Sequence, residues 1–313
     1  MYSTFLTAVG NKLAERWVAN LFAPAFVFWA GGLAAYLQDK GWDSLKTAFD
    51  GLDETLQIGL LFGGLLVVLA SGFVLQRFDL MVLRFFEGYW PTWTTPLRDR
   101  LVARQRQWFD RTEDRWNALV EKQLEHPSQF TAQDLDAQIN LDMQLRQVPS
   151  QRSRQMPLTL GNILRAAEMR PGDKYGLDAV VCWPRLWMIL PEGVKAEIQQ
   201  ARSDLNAAAR VWLWSLLFCT WFLLFPSSWW ILPLSFGAMW FAHHWMLMAA
   251  RTYGDLLEAA FDLHRFKLYA SLHWPLPQTP EEEHHSGALL TQYLWRGSRS
   301  ASLQFVLPTD NSG

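Results

Sequence analysis

The sequence predicts an all-α membrane protein, with four transmembrane helices arranged as two hairpins and a helical cytoplasmic domain. Three observations lead there. Four apolar stretches, Leu21–Gln38, Gln57–Leu75, Val211–Phe225 and Trp229–Ala249, contain no Asp, Glu, Lys or Arg, and a spanning helix needs about 20 mostly apolar residues. No segment alternates apolar and polar residues convincingly, as a half-buried strand would. Half of the 313 residues are hydrophobic, yet mean hydropathy is only -0.02. A sizeable part of the chain must therefore face water.

The elements follow in order. Over residues 1–20, Phe5, Val9, Leu13 and Trp17 recur at helical spacing, which predicts an amphipathic helix lying along the inner interface or packed on the cytoplasmic domain. Glu15 and Arg16, with no small-residue cleavage pattern, argue against a removed signal peptide. Residues 21–75 form the first hairpin. Its helices are rich in small residues, and Gly59 and Gly63 make a GxxxG that lets backbones approach closely. Packing inside the hairpin is the expected use of that motif, with a homo-oligomer seam as the alternative.

Residues 76–204 are the cytoplasmic domain. Leu97, Leu101, Trp108, Trp116 and Leu119 mark one face of a helix ending near Glu125, and His126-Pro127-Ser128 interrupts it. Thr131 and Asp134 resemble a capping box that opens the next helix. The polar stretch Val148–Gln155 reads as a linker. A third helix is expected over Thr159–Met169, stopped by Arg170-Pro171-Gly172-Asp173. Trp183-Pro184 can open a short apolar helix that Pro191 closes. From Glu192 one long helix should rise into the third span.

The second hairpin covers residues 205–250. Its first helix is short unless Leu205–Ala209 carries it inward, with Arg210 reaching to the interface. Residues 251–274 continue the fourth helix into the cytosol, and 275–313 are expected to be a flexible tail.

Charge sets the expected orientation. The Asp39–Thr55 loop carries two lysines against five acidic residues, whereas Arg77, Arg84, Arg202, Arg210 and Arg251 flank the other sides. Positive residues stay cytoplasmic, so both termini and the 76–204 segment are expected inside. Several of the 18 tryptophans, Trp212, Trp214, Trp229 and Trp230 among them, fall where a headgroup region would lie. Net charge is -2, which gives no bias toward nucleic acid. Only Cys182 and Cys219 occur, so no disulfide framework is expected.

Few residues carry candidate chemistry. His243 and His244 are the only ionisable side chains inside a predicted span, a position suited to a polar path or to a histidine bonded to a backbone carbonyl. Adjacent helical residues diverge by about 100°, so the two do not suit one metal ion. Arg251, Asp255, Glu258, Asp262 and Arg265 recur at helical spacing, placing three carboxylates between two arginines. Such a stripe serves acid–base chemistry if it lines an open cleft, and domain docking if it is buried. The latter is the expected use. Six arginines between Arg98 and Arg115, behind Trp90 and Trp93, suit anionic headgroups or a solvated face. Glu281–Glu283 with His284 and His285 read as a solubilising run. No phosphate-binding GxxxxGK[ST] loop, HExxH, GxSxG, CxxC or GxGxxG occurs. No metal or cofactor is expected.

One segment resembles a signature of uncharacterised bacterial multi-pass membrane proteins: Thr159-Leu-Gly-Asn162-Ile-Leu-Arg165-Ala-Ala-Glu168, then Tyr175-Gly-Leu-Asp178 and Trp183-Pro-Arg185-Leu186. It covers residues 158–190, with a weaker echo near Tyr253–Tyr269. The resemblance implies a bacterial inner membrane and carries no activity. Its Arg165, Glu168, Asp178 and Arg185 suit a salt network that stabilises a turn, or a site for a ligand or partner. Gly161 and Gly176 suit close backbone approach or unusual dihedrals. The expected role is a non-enzymatic assembly or effector component that self-associates and receives a cytoplasmic protein or small-molecule signal. An oligomeric channel is the first alternative, and a lipid-directed enzyme using Asp255, Glu258 and Asp262 is the second.

Overall fold

A computed structural model describes residues 23–297, apart from the side chain of Ala48. The amphipathic helix expected over 1–20 and the end of the chain from 298 lie outside the described residues. Every regular element described is helical. In chain order they are α1 (23–40), α2 (Trp42–Asp50), α3 (Glu54–Gln76), α4 (Asp79–Glu87), α5 (Thr95–Glu125), α6 (Ala132–Leu145), α7 (Thr159–Tyr175), α8 (Ala179–Ile189), α9 (Glu192–Phe218), α10 (Thr220–Leu224), α11 (Ile231–Ser271) and α12 (Pro280–Arg296). Among the described residues, two stretches are long and apolar enough to cross a membrane: the helical run opening with α3 at Glu54, and Glu192–Leu224. Only 11% of the first apolar window is buried within the molecule. That surface suits lipid or a second chain better than water.

The chain divides into two compact units. One comprises the residues up to Leu83 with Asp204–Met246, the other Arg84–Ser203 with the residues from Leu247.

In the first unit, Phe28 of α1 is ringed by aromatic side chains, with centroids 5.0 Å from Trp214, 5.2 Å from Trp221 and 6.4 Å from Phe218. Small residues make this approach feasible. A Cβ on Gly31 would lie 2.3 Å from the Phe218 ring, and one on Gly32 equally close to Trp221. The Trp29 indole donates to Ser71 Oγ at 3.1 Å, tying α1 to α3. The glycines of α3 behave differently. Among the described residues, a Cβ on Gly59, Gly63 or Gly64 would meet nothing within 4 Å, so the GxxxG is not used for packing against the described part of the hairpin. Large aromatics on α9 and α10 fill the space over α1, and no described residue covers the glycine face of α3. Arg210 also departs from expectation. It is 6% exposed and bonded to Asp79 at the start of α4 rather than reaching for an interface. A buried carboxylate within reach satisfies the guanidinium better than a long extension to water.

In the second unit, α5 and α6 pair as a hairpin. Thr131 and Asp134 form the expected capping box, and Lys122 Nζ lies 2.8 Å from Asp134 Oδ2. The core gathers Leu177, Leu186, Phe261, Leu268, Tyr269 and Leu290, each 1% exposed or less. Four boundaries differ from the sequence reading. The Val148–Gln155 stretch is no loose linker: Val148, Pro149 and Gln155 are buried, and the Asn162 side chain bonds both the N–H and the C=O of Met156 just after it. α7 runs through Pro171 and ends on Gly176, whose φ of 69° is left-handed. Burial of Pro171 and hydrogen bonds to its carbonyl and that of Gly172 hold this last turn. α8 opens at Ala179, because Asp178 accepts the Val181 N–H as an N-cap, and Pro184 sits inside it. The long helix from Glu192 breaks at Cys219 before α10.

The largest correction is at the end of the chain. Residues 280–296, expected to be flexible, form α12 docked on α7. A Cβ on Gly287 would lie 1.9 Å from the Tyr175 carbonyl oxygen, and one on Gly176 would lie 2.1 Å from that of His284. Two glycines face each other, so the backbones touch. Leu290 then enters the core at 0% exposure.

Candidate functional site

The charged stripe of α11 is consumed by packing within the second unit. Glu258 is 4% exposed and receives Arg146 Nη2 at 2.8 Å, Arg170 Nη1 at 2.5 Å and Lys174 Nζ at 2.5 Å. Burial alone would push its carboxyl up. Hydrogen bonds from Lys174 and Arg146, with the charge of Arg170, hold it instead at about 2. Asp255 lies 3.7 Å from Arg170, and Asp262 accepts Tyr175 Oη at 2.7 Å. Arg265 bonds Glu283 at 2.6 Å while its guanidinium lies 4.2 Å from the Tyr175 ring centre. A carboxylate saturated by three cations is no base at neutral pH. The stripe therefore clamps α7 and α12 onto α11. Arg251 is the exception: its Nε donates to Gln147 Oε1 at 2.9 Å, and it has no ion pair among the described residues.

The four residues of the 159–186 segment separate. Arg165, Glu168 and Asp178 line one cavity of about 460 Å3 with Arg154, Asp173 and His284. Arg185 is not there; it donates to the Val181 carbonyl at 2.9 Å. Asp178 caps α8, so the expected salt network reduces to Arg165–Glu168 at 3.4 Å. Arg165 Nη2 also reaches Tyr89 Oη at 3.5 Å, and its Nε is buried without a hydrogen-bond partner among the described residues. Gly161 behaves as expected: a Cβ there would lie 2.2 Å from the Glu87 carbonyl oxygen.

The structure adds residues that the sequence did not single out. Glu87 closes α4, and burial pushes its carboxyl up against the opposing pull of Arg202, with Glu168 adding to the rise. Burial raises Glu168 as well, with Arg165 opposing it and Asp178 adding. Arg202 lies 5.7 Å from the Tyr253 ring centre. Glu87 and Glu168 thus both resist ionisation while Arg165 and Arg202 oppose the rise; of these four, Arg165 and Glu168 line the cavity. Glu87 was visible as the carboxylate closing Leu80–Phe86, a run that is apolar apart from Arg84. The reach of Arg202 toward it was not.

His244 Nδ1 lies 2.9 Å from the Trp240 carbonyl oxygen, and the His243 and His244 rings stand at 88° to one another. No group of three His, Cys, Asp or Glu among the described residues could hold a metal ion. Glu283 belongs to the ion pair with Arg265 rather than to a solubilising run. Both cysteines are free, and burial lifts the Cys182 thiol to about 11, which leaves it unreactive. Compared with known protein families, curated proteins and solved structures, the chain matches none.

Proposed function

We propose that this protein is a membrane-anchored assembly or effector component, non-enzymatic, whose second unit receives a cytoplasmic partner or small-molecule signal. In this reading four helices cross a bacterial inner membrane, both termini are cytoplasmic, and the chain self-associates. The 158–190 signature is taken as its receiving element. The observation that carries the reading is the cavity walled by Arg165, Glu168 and Asp178. It combines an arginine whose Nε has no hydrogen-bond partner among the described residues with a partly exposed carboxylate, Glu168, whose pKa desolvation pushes up. Polar groups left in that state are what a ligand or partner satisfies.

The test uses the full chain in lipid nanodiscs. Arg165→Gln and Glu168→Gln should abolish partner or ligand capture while the melting temperature holds within about 2 °C. A fall in melting temperature with capture unchanged overturns the reading. Reporter fusions near residue 120 should report the cytoplasm.

A second reading, an oligomeric channel, is favoured by one observation: the unoccupied Gly59, Gly63 and Gly64 face of α3. It predicts ion flux in liposomes that His243→Ala with His244→Ala abolishes. The lipid-enzyme reading has no such support, because Glu258 is neutralised by Arg146, Arg170 and Lys174.

A further inference from the structure

The second unit contains another cavity, of about 500 Å3, built from α5, α6, the loop before α7, α7 itself and α11. That volume is in the range of small-molecule sites, about 300–1,000 Å3. Its wall includes Arg104, Arg251 and Trp108, and no carboxylate lines it. Elsewhere in the unit Arg146, Arg170, Lys174 and Arg265 are each paired with acidic partners. Arg104 forms no ion pair or hydrogen bond among the described residues. Arg251 bonds only the neutral Gln147. Two guanidinium groups from helices far apart in sequence therefore line one cavity with their charge uncompensated. An anion is the chemistry that such a wall recognises.

Trp108 narrows the ligand class. It is 39% exposed, in contrast to Trp274 at 3%, so its ring is open to a ligand. An indole face beside two guanidinium groups suits a flat ring joined to the anion. Gln105 and Gln144 also line the cavity, and both amides are unpaired among the described residues. They offer donors and acceptors to the edge of such a ring. The opening turn of α7 adds a partial positive charge at Thr159, while the two arginines carry the argument.

We propose that this cavity binds a nucleoside phosphate, with the phosphate held by Arg104 and Arg251 and the base stacked on Trp108. The proposal does not rest on the Arg165 cavity. It uses different residues, so the two readings fail separately.

The test is calorimetric titration of the full chain in nanodiscs at fixed salt, with ADP, adenosine and inorganic phosphate as probes. ADP should bind in the micromolar range, and adenosine or phosphate alone at least tenfold more weakly. A charge-assisted hydrogen bond contributes about 1.5–3 kcal/mol, so Arg104→Gln and Arg251→Gln should each weaken ADP by about ten- to a hundredfold. Trp108→Leu should cost about tenfold. Arg104 bonds nothing among the described residues, so Arg104→Gln should fold normally and keeps the test decisive even if Arg251→Gln melts. No heat from ADP at millimolar concentration overturns the proposal. So does ADP binding that survives Arg104→Gln with Trp108→Leu, or phosphate binding as tightly as ADP.

Discussion

Asp79 and Arg210, 131 residues apart in the chain, form a buried two-point ion pair, with Nε–Oδ1 at 3.2 Å and Nη2–Oδ2 at 2.5 Å. Both side chains are less than a tenth exposed. The geometry joins the start of α4 to the middle of α9, two elements that no local pattern connects.

Removing one partner leaves the other charged and buried, which costs about 3–5 kcal/mol. Asp79→Asn and Arg210→Met should each lower the detergent melting temperature strongly. The double replacement Asp79→Leu with Arg210→Met should recover most of the loss, because an apolar pair carries no desolvation cost. Thermal unfolding of the three variants decides it; a double variant as unstable as the singles refutes the pairwise account.

Glu258 should make the second unit sensitive to acid. Its folded pKa, about 2, lies below the value of about 4.3 for an unpaired glutamate. Its stabilising contribution is thus complete above pH 5 and is lost as pH falls toward 2. Glu258→Gln should flatten the melting temperature between pH 5 and pH 3 and destabilise the protein by about 3 kcal/mol at pH 7, since three cations lose their acceptor.

Glu87 and Glu168 should respond in the opposite direction. Burial raises both, so their ionisation opposes folding at neutral pH and the penalty is relieved as pH falls toward the unfolded value. Glu168→Gln should hold or raise the melting temperature at pH 7 and remove part of any gain between pH 7 and pH 5. Melting curves at half-unit pH steps measure this, and a gain unchanged in the variant contradicts it.

Gly287→Val places a side chain where the Tyr175 carbonyl oxygen already lies 1.9 Å from the Cβ position. The oxygen belongs to the backbone and the Cβ position is fixed by it, so relief requires α12 to lift. Overpacking of this kind costs about 1–3 kcal/mol. Limited proteolysis should then cleave between His273 and Thr279 in the variant far faster than in the parent protein. Equal cleavage rates would show that α12 does not depend on the contact.

Several features were legible because they are local. The capping box at Thr131, the end of α5 before His126 and the end of α11 before Trp274 are written in a few neighbouring residues. The i, i+4 and i, i+3 spacing of the α11 stripe placed its charges on one face, and the partners on α7 and α12 are what give that face its docking contacts. Pro171 and Pro184 misled for a related reason. Proline signals a helix boundary only when nothing else holds the turn, and here burial and the Asp178 cap hold it. In the candidate site, Arg165, Glu168 and Asp178 were named from sequence, whereas Glu87, Arg202 and the Arg104–Arg251 cavity depend on helices meeting across more than a hundred residues.

By itself the sequence determined the helical class, the apolar runs and most helix ends, because side-chain periodicity, caps and turn residues act within a few positions. Only the tertiary structure decided which arginines are neutralised, which glycines are covered and whether the last helix docks. Those outcomes depend on which distant surfaces come within 4 Å, and a charge or a missing Cβ has no fixed consequence until its neighbour is known.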